Sequence, residues 1–423
     1  MTQASGTGAG GRRFRLLIYG LILASAAAQF ALVPVMPGYT RQFGLSGFQQ
    51  GMVLGATGLA ALAVSLPTGT LSDRFGARRI TLAAGLLMAA ATLAQAVAGG
   101  FPALFAARLA FGAGYGMVWT AGLCWLADVG GPSALGGSVA SAGVGGVAGP
   151  AVSGVLTEHL GPTVPLLATA TGFAVITAGL ATLRVVPRPV APRAATAVAA
   201  AATAATAGRW AATKDRDLIG AAAAVVTAGL STGACALLVP ARLHAGGASA
   251  GQIGLYFAVA GILFAAGSAL TTAAGRRAVS VPVIGGGMLA VTAALFLGVL
   301  STGPLALLVT LCAGTAARSV LWTVSYPLAA GAAARRGIGL GMAVGLLNGI
   351  WAATAVLGPL GAGLADQHLG AGAAFGLTGV ACTVALAATT AAAWRTRHCA
   401  RGAAGRAPSQ DPATASIAPT AVP

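Results

Sequence analysis

The chain has 423 residues, of which 57% are hydrophobic and only 7% are charged, and its formal net charge is +17. Soluble domains carry about 25% charged residues, so this composition excludes a soluble enzyme, a disordered protein and a secreted disulfide-rich scaffold. The sequence therefore predicts an integral membrane protein whose surroundings are the lipid bilayer.

Twelve apolar stretches are long enough to cross a bilayer, which takes about 20 residues of helix. They lack the polar and apolar alternation of membrane β-strands, so the predicted fold is all-α. The predicted spans, in chain order, are 16–37, 48–70, 80–98, 102–127, 136–157, 163–184, 218–240, 251–273, 280–300, 304–327, 338–361 and 372–393.

The second half of the chain repeats features of the first. Gly149-Pro150 and Gly154 in predicted span 5 recur 209 residues later as Gly358-Pro359 and Gly363 in span 11. An offset over an even number of spans predicts two parallel, pseudosymmetric six-helix bundles. The predicted divisions are an N-terminal bundle (1–186), a cytoplasmic linker (187–216), a C-terminal bundle (217–396) and a disordered cytoplasmic tail (397–423).

Basic residues are distributed unevenly along the chain. If the N-terminus is cytoplasmic, 20 of the 24 lie on the inner side, Arg41 and Arg242 lie outside, and Arg108 and Arg318 lie within spans. This agrees with the positive-inside rule. We therefore expect a multi-pass protein of the plasma (inner) membrane with both termini cytoplasmic, and the net charge requires no nucleic-acid partner.

The predicted loop between spans 2 and 3 carries a specific motif, G-x-L-x-D-R-x-G-x-R-R, over residues 69–79. A positive-inside loop alone would explain its arginines but neither the spacing nor the single acid, Asp73. At every marked position the motif resembles the signature of the major facilitator superfamily, and the resemblance extends over nearly the whole chain.

That resemblance implies several roles. The loop would be a cytoplasmic latch that stabilises the outward-open state, formed by Gly69, Asp73, Arg74, Gly76, Arg78 and Arg79 with Asp128 as an additional partner. Arg108 in span 4 resembles an arginine linked to proton coupling, although snorkelling towards the outer interface is an alternative. The segment with Gly145, Gly149, Pro150 and Gly154 resembles an antiporter motif, which favours export. Its span-11 copy, Gly358, Pro359 and Gly363, also suits simple helix packing.

Other polar and aromatic residues within the spans are candidates for a cavity between the bundles. They are Arg318, Gln29, Trp119, Tyr326, Asn348 and Trp351. Each also has a packing explanation, and Arg318 could simply bond helix carbonyl groups. Since no acid lies away from a predicted span end, and an embedded guanidinium pairs well with a carboxylate, we expect a neutral or anionic amphipathic substrate.

The predicted function is secondary active transport by alternating access, most simply the proton-coupled efflux of a small metabolite or antibiotic. An importer of a small nutrient is the first alternative. A membrane sensor or an embedded enzyme on the same fold is the second.

No catalytic residues are assigned, and the chain has no ATP-binding G-x-x-x-x-G-K-[ST] motif. The five cysteines match no metal spacing, so no metal or cofactor is expected, and we expect a monomer.

Overall fold

The computed structural model describes residues 9–130, 134–183, 215–336 and 340–404, and these residues are almost entirely helical. The first six helices are α1 (Ala9–Phe43), α2 (Gly47–Phe75), α3 (Ala77–Ala96), α4 (Phe101–Gly130), α5 (Leu135–Leu160) and α6 (Thr163–Thr182). The next four are α7 (Arg216–Ala245), α8 (Ala250–Ala273), α9 (Val281–Leu300) and α10 (Pro304–Arg336). The last, Leu340–Ala404, is interrupted by a non-helical Gly370 and is described here as α11 (340–369) and α12 (371–404).

Eleven segments of the described residues are long and apolar enough to cross a membrane. The last of them, Met342–Ala392, has 51 residues, more than twice the length of one span. Because Gly370 has a φ of 82° and a ψ of 163°, the chain turns there and the segment provides two spans. The predicted all-α fold with two six-helix bundles is confirmed.

The two halves share local structure as well as sequence. Gly161, between α5 and α6, has a φ of 88° and a ψ of 166°, close to the values of Gly370 between α11 and α12. Positive φ is readily available only to glycine. The repeated His-Leu-Gly sequence therefore makes the same turn in both halves.

The predicted ends of the elements differ from the observed ones in several places. The first helix extends from Ala9 to Phe43, beyond both ends of the predicted span 16–37, because only its central part has to match the hydrocarbon thickness. Likewise, α7 begins at Arg216, inside the predicted linker, and α12 continues to Ala404, inside the predicted tail. Residues 184–214 and 405–423 lie outside the described residues.

Apolar side chains cover the outside of the molecule as well as its interior. Leu270, Leu300 and Leu305 each expose more than 70% of their surface, a pattern that in a soluble protein would promote aggregation. Inside, Phe14, Phe111 and the other buried residues of the first half form clusters separate from that of the second half. Each bundle thus has its own hydrophobic core, and the region between the bundles is not part of either core.

Candidate substrate pathway

The two bundles meet along two seams at one end of the molecule. This closed end holds the turns at Gly44, Gly161, Gly247 and Gly370. In the first seam, α2 of the N-terminal bundle crosses α11 of the C-terminal bundle. A Cβ added to Gly51 would lie 2.9 Å from the carbonyl carbon of Pro359, and Gly47 is equally close to Gly363. Because glycine has no side chain, the backbones of α2 and α11 can approach each other closely.

The second seam repeats the first with the bundles exchanged. Here α5 crosses α8, and a Cβ on Gly154 would lie 2.6 Å from the carbonyl oxygen of Ala250. Gly254 of α8 packs against Pro150, as Gly51 of α2 packs against Pro359. The predicted motifs with Pro150 and Pro359 therefore occupy equivalent positions in the two seams.

The remaining motif glycines pack within their own bundles. An added Cβ on Gly149 would lie 2.7 Å from the Cα atom of Ala27 in α1, and Gly145 is also against α1. Gly358 contacts Leu230 of α7 in the same way, at 2.9 Å from its carbonyl oxygen. The motif helices α5 and α11 thus contact a helix of their own bundle and one of the opposite bundle.

Towards the other end, the bundles separate. The glycines of each seam continue along one face of their helix, and we call these rows glycine stripes. The α2 stripe runs from Gly47 to Gly69, the α5 stripe continues to Gly143 and Gly136, and the α11 stripe continues to Gly349 and Gly345. An added Cβ at any of these five positions would meet no atom of the described residues within 4 Å. We call this the open end, and the space between the two bundles widens towards it.

Aromatic and amide side chains group together in the C-terminal bundle. The Tyr326 hydroxyl donates a hydrogen bond of 2.7 Å to Oδ1 of Asn348. The Trp322 ring stacks on Tyr326 at 6.0 Å between centroids and meets Trp351 edge-on at 4.7 Å. Three predicted cavity candidates are therefore brought together. Trp322 was not among the cavity candidates predicted from the sequence.

In the N-terminal bundle, Trp119 lies on an irregular part of α4. Val118–Gly122 forms a π-helical turn, a feature found frequently at functional sites. The ring of Trp119 lies 5.9 Å from that of Tyr115, and its buried indole nitrogen has no hydrogen-bond partner among the described residues. Nothing in the sequence marked this turn.

Arg108 and Gln29, predicted separately, contact each other. The Nη2 atom of Arg108 donates hydrogen bonds to the side-chain oxygen of Gln29 at 2.9 Å and to the backbone carbonyl oxygen of Gln29 at 3.1 Å. The guanidinium also lies 4.7 Å from the centre of the Phe111 ring. Arg108 is only 1% exposed, so it does not snorkel to a surface in this structure.

Arg318 lies inside the C-terminal bundle. It is 6% exposed, and it donates hydrogen bonds to Thr315 on its own helix and, at 3.8 Å, to the sulfur of Cys235 on α7. The small space beside it is lined by α7, α9 and α10 residues such as Val291 and Thr310. In this conformation the guanidinium is directed into the bundle and not into the space between the bundles.

The predicted latch loop lies at the open end. Asp73, Arg74 and Arg79 are exposed, and no ion pair of Asp73 is found in the described part of the chain. Arg78 donates a 2.7 Å hydrogen bond to the carbonyl oxygen of Ala181, at the end of α6. Asp128 lies near the same end, on the last turns of α4.

A charge cluster that the sequence did not single out joins α7 to α10 at the open end. Asp215 caps α7 and pairs with Arg336 at 3.0 Å, while Asp217 pairs with Arg335. Burial raises the pKa of the Asp215 carboxyl. Hydrogen bonds from Arg336 and two backbone amides, with the charge of Arg335, outweigh burial and lower the pKa below its usual value. The sequence contained a signal for this cluster, since two acids stand at the start of α7 and two adjacent arginines stand at the end of α10.

No group of three or more His, Cys, Asp or Glu side chains in the described ranges could hold a metal ion. The acids of those ranges, Asp73, Asp128, Glu158, Asp215, Asp217 and Asp366, lie near helix ends. The described carboxylates therefore lie towards helix ends, whereas the aromatic and amide candidates lie within the helices.

Comparisons with known proteins agree on one family. The family described as "Major Facilitator Superfamily" matches residues 18–342. A curated relative, an uncharacterized MFS-type transporter of Schizosaccharomyces pombe, is 32% identical over 114 residues, 26% of this chain and 25% of that protein. The chain thus spans about a quarter of that relative's length.

Solved structures are similar over more of the chain. A bacterial homologue of the human lysosomal transporter Spinster, in an inward-facing, unoccupied conformation, has a TM-score of 0.76 at 15% identity. The match covers 91% of this chain and 97% of that one. A mutant of the nucleoside transporter NupG has a TM-score of 0.70 at 14% identity, covering 90% and 99%. At these identities the likeness concerns the fold alone.

Proposed function

Because the chain belongs to the major facilitator superfamily, a family of carriers rather than enzymes, we propose that it is a secondary active transporter working by alternating access. The observation that carries this proposal is the set of three glycine stripes, on α2, α5 and α11. Each stripe is packed at the closed end and uncovered at the open end, so the same surfaces can meet at either end. A rocking of the two bundles would then expose a central site to each side in turn.

With the predicted orientation, the open end faces the cytoplasm. In this state Asp73 forms no ion pair with the residues that the structure describes, as expected of a contact that stabilises the opposite, outward-open state. Asp73 with Arg74 and Arg78 would form it when the open end closes.

The proposed substrate is a small neutral or anionic amphipathic molecule. Trp119 and Tyr115 on one side, and Trp322, Tyr326 and Trp351 on the other, offer apolar rings with polar edges that suit such a molecule. The carboxylates of the described residues lie towards helix ends and not beside these rings, so they do not offer a site for a cation there. Arg318 would contact an anion only after it turned out of its bundle, so it is a weaker candidate than the aromatic groups.

Efflux coupled to proton entry is the proposed direction and coupling. The resemblance of the Gly149-Pro150 segment to an antiporter motif supports export, and the buried Arg108 with its Gln29 partner is the proposed coupling element. A nutrient importer is the second candidate, and the similarity to the nucleoside transporter NupG makes nucleosides suitable test substrates for it.

Transport in proteoliposomes with an imposed pH gradient tests these proposals. A panel of carboxylated, neutral and permanently cationic amphipathic compounds, with nucleosides included, would be assayed for uptake and efflux. We expect an inward proton gradient to drive export of neutral or anionic members. Export of cationic compounds alone would contradict the proposed substrate class, and movement independent of the gradient would contradict proton coupling.

A further inference from the structure

The closed end is held by two polar contacts that cross between the bundles. In one, the side-chain oxygen of Gln367, near the end of α11, accepts a hydrogen bond of 3.3 Å from the backbone amide of Phe48. In the other, Oε2 of Glu158, near the end of α5, accepts a hydrogen bond of 3.0 Å from the backbone amide of Gly251. The same oxygen accepts a 2.8 Å hydrogen bond from the hydroxyl of Ser249.

These contacts are related by the internal repeat. Glu158 and Gln367 each lie three residues before the glycine that ends their helix, Gly161 or Gly370. Their donors, Gly251 and Phe48, are each the second residue of a helix, α8 or α2. Both acceptors therefore cap the first turn of a helix in the opposite bundle.

Both of these first turns are built in the same way. Ser46 before α2 and Ser249 before α8 each form a capping box, with Gln49 and Gln252 respectively. A helix N-terminus has unpaired amide groups and the positive end of the helix dipole, so it attracts a carboxylate more strongly than an amide. The two contacts thus occupy equivalent places in the repeat, but only that of Glu158 carries a charge and accepts a second hydrogen bond, from Ser249.

Resting on the proposed alternating access, we propose that Glu158 is the ionisable latch of the closed end. Its carboxylate holds the first turn of α8 against α5 while the bundles are closed there. Protonation removes the charge and weakens this contact, whereas the Gln367 contact does not respond to pH. Acid on the closed-end side therefore favours opening towards that side.

Several other charged or titratable groups lie towards the same end of the molecule as Glu158. On the elements packed against α5, the charged or titratable side chains towards this end are Tyr39 and Arg41 on α1, His159 on α5 itself and Tyr256 on α8, with Arg242 and His244 before the α7–α8 turn. None of them forms an ion pair with Glu158 in the part of the chain that the structure describes. Since His159 is adjacent in sequence to Glu158, its replacement is the control that separates the two side chains.

A distance measurement across the closed end tests the latch without any substrate. Spin labels would be placed at Gly99→Cys and Thr302→Cys, in the turns before α4 and α10, in a full-length chain whose native cysteines are replaced. Both positions are exposed. In lipid nanodiscs, double electron–electron resonance would give the fraction of molecules with separated closed ends.

We expect Glu158→Gln to raise the ratio of open to closed molecules about 2- to 5-fold at neutral pH, the effect of one charge at a helix N-terminus. Acidification should raise this ratio in the wild type and not in Glu158→Gln, because only the wild type has a carboxylate to protonate at this contact. His159→Gln should keep the acid response. Gln367→Glu should lower the ratio.

Two serine variants separate the latch from ordinary helix capping. Ser46→Ala and Ser249→Ala each remove a capping hydroxyl, but only Ser249 also donates to Glu158. The proposal expects a larger opening in Ser249→Ala than in Ser46→Ala. Equal effects of the two, or an acid response that persists in Glu158→Gln, would overturn the proposal while leaving the transport assay and its outcome unaffected.

Discussion

At the scale of single residues, two aspartates near the open end differ in their surroundings. Asp73 is exposed and forms no ion pair within the described residues, whereas Asp215 is buried among Arg335, Arg336 and the first turn of α7. The carboxylate of Asp215 contributes to the stability of this conformation. That of Asp73 is available for a contact in another conformation.

The proposed role of Asp73 in a cytoplasmic latch at the open end makes a prediction for Asp73→Asn. We expect this variant to lose most of its transport while it inserts and folds normally, because the outward-open state loses its charged contact. Transport in proteoliposomes at equal protein abundance measures the effect, with Asp73→Glu as the variant that keeps the charge. Near-normal transport by Asp73→Asn would contradict the latch.

Asp215→Asn should lower the stability of the protein, which Asp73→Asn should leave unchanged. Asparagine still caps a helix, so the variant loses only the charge. We expect a loss of about 0.5–1 kcal/mol in stability at neutral pH, a modest figure because Arg336 is 44% exposed. Because the pKa of Asp215 is lowered by folding, this stabilisation is complete above the unfolded value of ~3.9 and disappears as the pH falls through the folded value.

Thermal unfolding in detergent as a function of pH checks this expectation. The melting temperatures of wild type and Asp215→Asn should differ at neutral pH and converge in acid. Asp73→Asn is the matched control and should melt like the wild type at both. A difference between wild type and Asp215→Asn that persisted in acid would show that something other than the charge had been lost.

At the scale of helices, the seams are built from small residues rather than from large apolar ones. A glycine stripe gives close backbone contact but buries little side-chain surface. Such a seam can therefore separate without exposing a large hydrophobic area to water. The stripes on α2, α5 and α11 continue past the contact region, so each helix has a second, unused surface in the present state.

Two substitutions on α5 test the alternate use of these stripes. Gly154→Val would collide with Ala250 at the closed end, whereas Gly143 has nothing within 4 Å of an added Cβ. We expect Gly154→Val to favour opening at the closed end. Gly143→Val should favour the present state, because it would obstruct closure at the open end.

The readout is the labelling rate of Leu237→Cys, which is buried near the closed end, by a membrane-impermeant maleimide. Gly154→Val should raise the rate several-fold and Gly143→Val should lower it. Because both variants place valine in the same helix, the cost in helix propensity is the same. A rise in both variants would indicate general loosening and would count against the alternating seams.

The sequence was sufficient for the family and the spans but not for the contacts between helices. Spans follow from length and apolarity, and the loop with Asp73 carries the family resemblance, so these features need no three-dimensional information. The direction of a side chain around its helix is different. Arg318 was a candidate either for a substrate contact or for a bond to helix carbonyl groups, because apolar residues on all sides of α10 gave no sign of which side faces its own bundle.

The cross-bundle contacts of Glu158 and Gln367 were missed for a related reason. Both residues were visible at helix ends, and the repeat that relates them was recognised through nearby glycines. What the sequence lacks is the pairing of α5 with α8 and of α11 with α2. These contacts join residues about 90 and 320 positions apart, and they depend on how whole bundles dock.

At the scale of the whole molecule, orientation in the membrane can be tested directly. Basic residues place the open end in the cytoplasm. We expect single cysteines beside Glu158 and Asp366 to react with an impermeant reagent added outside intact cells. Cysteines beside Arg78 and Arg336 should react only after permeabilisation. The reverse pattern would contradict both the orientation and the proposed direction of transport.

The two seams have a consequence for assembly. Gly51 meets Pro359 while its counterpart Gly254 meets Pro150, so the halves contact each other in the reciprocal manner of an isologous two-fold dimer. In such an interface each partner's binding surfaces are fully used by the other, and none of the same kind remains for a third. Here both partners belong to one polypeptide, so this mode of association is saturated within a single chain. We therefore expect light scattering in detergent to give the mass of one chain.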